Sequence, residues 1–64
     1  MTFTEAAAIV KDYANKHTEG DILWALGELR DLINEDSYEI GFREAIAYRV
    51  FVTEGAKFFA KDEV

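Results

Sequence analysis

The feature that most constrains this chain is a lack: its sixty-four residues contain no cysteine, so no covalent cross-link can stand in for a core. A domain this short buries only about 60% of its unfolded surface, and its core rarely supplies more than roughly 3–5 kcal/mol. Thiolate metal sites are excluded along with disulfides. Half of the residues are hydrophobic and nine are aromatic, which is too apolar for a disordered chain. The expectation is one domain spanning residues 1–64, supplemented by a partner subunit.

Apolar spacing predicts that this domain is all-α, with three helices. Thr2-x-x-Glu5 has capping-box spacing, in which each end satisfies a free backbone amide of the other. Behind it Phe3, Ala6, Ala7, Val10, Tyr13, Ala14 and His17 recur three and four apart, predicting a helix from about Phe3 to His17. Thr18-Glu19-Gly20-Asp21 interrupts the pattern. Gly20 suits a left-handed closing position, and Asp21 or Thr18 suits the next cap. A second helix then runs to about Ile33 or Asn34, with an inner stripe of Ile22, Leu26, Leu29 and Ile33 flanked by Leu23, Ala25 and Leu32. Asn34-Glu35-Asp36-Ser37 is the second break, with Asp36 or Ser37 as caps.

Two readings compete for the last segment. As a helix from about Tyr38 to Ala60 it sets Tyr38, Phe42, Ala45, Tyr48, Val52, Ala56 and Phe59 on one side and pairs Glu39 with Arg43. As a β-hairpin it joins residues 48–53 to 56–60 through Glu54-Gly55. The helix is preferred, because Glu44-Ala-Ile-Ala47 leads straight in and no alternation is strict; Gly55 is its weak point.

Two features exceed what folding requires. At about 100° per residue, Asp21, Trp24, Glu28, Asp31 and Glu35 share the side of the second helix opposite its leucines. Like charges at this spacing weaken an isolated helix, whereas an exposed tryptophan in a field of carboxylates resembles a binding hot spot. The plain alternative is that Trp24 packs on the third segment and the acids are merely solvated. The second feature is a further apolar line in the last segment, Ile40, Ala47, Phe51 and Phe58. A short monomer covers two such faces with difficulty, so these four are the expected interface of a homodimer. If the hairpin forms instead, it gathers them into a single core.

Net charge is −6, most of it carried by residues 1–37. Direct nucleic-acid binding is disfavoured, since phosphate contacts need a basic surface. Arg43, Arg49, Lys57 and Lys61 stand among aromatics, but Glu39, Glu44 and Glu54 interrupt them. The N-terminus lacks the basic start and apolar stretch of a secretion signal, and no apolar run reaches the roughly 18–20 residues of a membrane span. A cytoplasmic protein with no membrane partner is expected.

Chemistry has few candidates. Ser37 is the single serine, placed at a cap, and His17 the single histidine, near a helix end. His17, Glu19 and Asp21 match no metal-ligand spacing, and the scattered glycines form no phosphate loop. Gly27 and Gly41 are expected to permit close approach of neighbouring elements, at a helical cost of about 1 kcal/mol each. The expectation is therefore a non-enzymatic protein with no cofactor and no metal, binding a basic partner protein through its Trp24 face. Two alternatives remain, the second of a different class. One is an inhibitor that mimics DNA, as small phage and mobile-element proteins do. The other is an assembly subunit whose acids only solubilise it.

Overall fold

The computed structural model describes residues 1–61, with side chains through Lys57, as three helices: α1 (Phe3–His17), α2 (Ile22–Asn34) and α3 (Phe42–Lys61). No strand occurs among the described residues, so the hairpin alternative gives way to the all-α domain.

Each helix starts and stops where the local chemistry dictates. Thr2, in extended conformation, accepts from the Glu5 N–H through Oγ1 at 3.2 Å, while its hydroxyl lies 3.3 Å from Glu5 Oε1. At the other end of α1 the Gly20 N–H reaches back to the Ala14 carbonyl at 2.9 Å. That closure needs positive φ at both Glu19 (58°) and Gly20 (89°). A side chain at Gly20 would be strained, as well as tight against Asn15 Oδ1. The Thr18 hydroxyl lies 2.9 Å from both the Ala14 and Asp21 carbonyl oxygens, stitching the end of α1 to the start of α2.

Asp21 caps α2, its Oδ1 accepting from the N–H groups of Leu23 (3.0 Å) and Trp24 (3.3 Å). The helix ends with Asp36 in the left-handed region (φ 55°) and the Ser37 N–H bonded to the Leu32 carbonyl at 3.0 Å. Ser37 Oγ then accepts from the Glu39 N–H at 3.2 Å. This turn delays α3 to Phe42, so Glu39 lies outside the helix and the expected pairing with Arg43 does not form. The helix opens with the Ala45 N–H on the Gly41 carbonyl (3.1 Å), and it runs through Gly55 without a break.

The core is built largely from small side chains. Ala6, Val10, Ala14, Ala25, Leu29 and Ala47 are at most 1% exposed, and only Leu29 and Val10 are large. Alanine on facing helices lets the backbones approach closely. Ile9, Tyr13, Leu26, Ile40, Tyr48, Val50 and Phe51 then close the sides. α1 is the main packing partner of α3, and the Phe3 and Phe51 rings stack at 5.4 Å.

This arrangement turns α3 the opposite way from the simplest reading of its pattern. The line Ile40, Ala47 and Phe51, expected to lie on an outer dimer face, is inward: Ala47 is fully buried, and the other two pack against the core of their own chain. Phe58 lies outside the residues whose side chains are described. The opposite line is split: Tyr38, Phe42 and Val52 are exposed, whereas Ala45 is half-buried and Tyr48 packs against the core.

Candidate functional site

The surface of α2 away from the core begins where its first turn projects past the buried layer. Ile22, Leu23 and Trp24 are all exposed, and Ala25 is the first buried residue of the helix. Trp24 is 74% exposed and Leu23 is 80% exposed. The alternative in which Trp24 packs on the third segment is therefore not the one adopted. Leu23, expected to flank the inner stripe, stands outside beside it. Its bearing lies between the leucine stripe and Trp24, so spacing alone could not assign it.

All five residues of the predicted face, Asp21, Trp24, Glu28, Asp31 and Glu35, are exposed and follow one side of α2. Their carboxylates are not equivalent. Asp21 is committed to the helix cap. Asp31 Oδ1 lies 3.4 Å from Arg30 Nε, a solvent-exposed pair of the kind worth little. Glu28 faces the Tyr13 hydroxyl on α1. Burial, then the charge and acceptor oxygens of Glu28, then the charges of Glu39 and Glu44, push the Tyr13 phenol up to about 12. Glu35 contributes its backbone to the end of α2, its N–H meeting the Asp31 carbonyl at 3.0 Å.

Two shallow depressions flank Trp24. One is bounded by His17, Thr18, Glu19 and Asp21, the other by Leu23, Gly27 and Asp31; Trp24 and Glu28 border both. His17 stacks on Tyr13 at 4.3 Å, so the end of α1 forms one wall. His17, Tyr13, Leu23 and Gly27 were not assigned to this face from the sequence. The first two reach it only through the turn at Gly20, which no periodicity encodes. Among the described residues no group of three or more potential ligands converges to hold a metal, and His17, Glu19 and Asp21 form no such group.

The glycines divide by environment. A Cβ at Gly41 would collide with the Glu44 side chain folded over it, whereas one at Gly27 meets nothing within 4 Å. The expected close approach of a neighbouring element therefore does not occur at Gly27, and at Gly41 the nearest atoms belong to Glu44, three residues on.

No described helix is long and apolar enough to cross a membrane. Comparison of the chain with protein-family models, with curated proteins and with solved structures finds no match.

Proposed function

We propose that this chain is a non-catalytic protein-binding module that presents the outer face of α2 to a basic surface on another protein. The observation that carries this reading is the exposure of Leu23 and Trp24 side by side, bordered by Asp21, Glu28 and Asp31 with Glu35 at the helix end. An isolated exposed apolar residue is ordinary. A contiguous apolar anchor inside a single-sign field is the arrangement that steers a partner and then desolvates against it. The polar side chains with chemical potential are engaged locally: Ser37 in a turn and His17 in a ring stack.

The sequence expectation of a homodimer through Ile40, Ala47, Phe51 and Phe58 has little to draw on. Ala47 is fully buried in the chain's own core and Ile40 and Phe51 pack against it, which leaves this line little surface for a second copy. The inhibitor version, in which the carboxylates occupy phosphate positions on a nucleic-acid-binding partner, is a specific case of the same reading. The recurrence of exposed acids along α2 favours it.

The test is capture from the source cell with wild-type and Trp24→Ala protein, followed by affinity measurement on the retained partner at several salt concentrations. The expected partner is basic, its binding weakens steeply as ionic strength rises, and Trp24→Ala costs ~2 kcal/mol or more of affinity. Salt-independent capture that survives Trp24→Ala would reduce the face to solubilising surface.

A further inference from the structure

The face just described contains a glycine that the fold does not use. Gly27 lies mid-helix, where alanine is better by propensity, and the space around a Cβ there is empty. The positive φ of Gly20 explains that glycine, and Gly41 meets only the movable end of the Glu44 side chain; no backbone constraint acts at Gly27. What its missing side chain does is leave a hollow on the outer surface of α2, between residues of the preceding turn and of the turn that follows. Leu23 and Trp24 lie on the N-terminal side, Glu28 and Asp31 on the C-terminal side.

Resting on the reading of this face as a docking surface for a basic protein, we propose that the hollow at Gly27 receives an arginine side chain of the partner, stacked on Trp24. The charge of the rim calls for a cation. The apolar side narrows the choice, because a tryptophan beside a leucine favours a cation that is planar and weakly hydrated. A guanidinium stacks on tryptophan and donates to carboxylates in its own plane, whereas an ammonium is compact, strongly hydrated and without a flat face. Glu28 borders the hollow beside Trp24 and supplies one of its rim carboxylates.

Trp24 is the only tryptophan in the chain, so its fluorescence reports occupancy directly. The experiment titrates the whole protein with the capped peptide Leu-Arg-Leu-Arg, its Leu-Lys-Leu-Lys counterpart and the uncharged citrulline version. The proteins are wild type, Gly27→Ala and Gly55→Ala. Gly55 is the control, since a Cβ there also meets nothing within 4 Å but the residue lies on α3. Both variants should raise Tm, by ~4–8 °C for one glycine-to-alanine change in a helix of a domain this small. The arginine peptide should bind wild type and Gly55→Ala alike, lose roughly fivefold or more in affinity for Gly27→Ala, and exceed the lysine peptide. Equal binding to Gly27→Ala would overturn the role of the hollow while leaving the docking face standing. Equal affinity for arginine and lysine would overturn the guanidinium assignment. Failure of either basic peptide to outdo citrulline on wild type would remove the docking reading itself.

Discussion

Two helices of this domain turn large apolar side chains to solvent, and their surroundings are opposite. On α2, Leu23 and Trp24 are adjacent, beside a hollow and among four carboxylates. On α3, Phe42 and Val52 are exposed ten residues apart, about 15 Å along a helix, with Arg43 and Arg49 exposed on the stretch between them. Scattered single apolar residues are what any small protein shows. Exposure is thus a poor signal by itself, and contiguity within a field of one sign separates the two helices. Both depressions beside Trp24 border the exposed apolar pair of α2, although α3 exposes the more complete Phe42, at 83%.

That contrast stands only if α3 is oriented as described, and the sharpest way to break it is a charge on each of its sides. Ala47 touches the buried layer of Ala6, Val10 and Leu29. A carboxylate there would be buried without a partner, a cost of several kcal/mol. Against a total of roughly 3–5 kcal/mol, Ala47→Glu should abolish cooperative unfolding by circular dichroism. Phe42→Glu, on the outer side and in the first turn, should shift stability by no more than ~0.5 kcal/mol. The reverse pattern would mean that α3 faces the other way, with Ile40, Ala47 and Phe51 free to form an interface between copies.

The same contrast explains what could be read in advance. α1 carries a single apolar stripe, so its inner face was legible from spacing, and the Thr2 and Asp21 caps were legible from local chemistry. The carboxylate side of α2 was legible because only one side of that helix is acidic. α3 carries two apolar stripes, and a 3.6-residue period cannot choose between them. The choice was made by tertiary contacts: Ala47 lets α3 come close to α1, and Phe51 meets Phe3 from the far end of the chain. Spacing likewise puts Ile22 on the inner stripe and Leu23 on its flank, yet both are exposed. The first turn of α2 projects past the core, and periodicity carries no information about where a helix outruns its neighbours.

A smaller effect asks whether Asp21, at the head of the acidic face, serves the fold or the partner. As a cap it satisfies two backbone amides. Asp21→Ala should cost ~0.5–2 kcal/mol in urea unfolding. Asp21→Asn keeps an acceptor at the cap and removes the charge, so it should hold most of the stability while weakening the basic partner. If asparagine proved as destabilising as alanine, the charge of Asp21 would belong to the helix, leaving three carboxylates to the face.

The smallest effect at neutral pH, and the one that ties the acidic face to the rest of the molecule, concerns Tyr13. Its phenol is held up to about 12 from an ordinary 10 by burial first, and then by Glu28 on α2 with Glu39 and Glu44. The folded state therefore binds this proton more tightly than the unfolded state. The resulting stabilisation is complete below pH 10 and declines as pH rises from there through about 12. Absorbance near 295 nm should show a phenol titrating with a midpoint of about 12, missing in Tyr13→Phe. The variant's unfolding midpoint should also fall less steeply than wild type across that alkaline window. Glu28→Gln should move the Tyr13 midpoint downward, because it removes the nearest named charge and leaves burial in place. An unmoved midpoint would place Glu28 away from Tyr13, free of α1 and indistinguishable from the other solvated acids of α2.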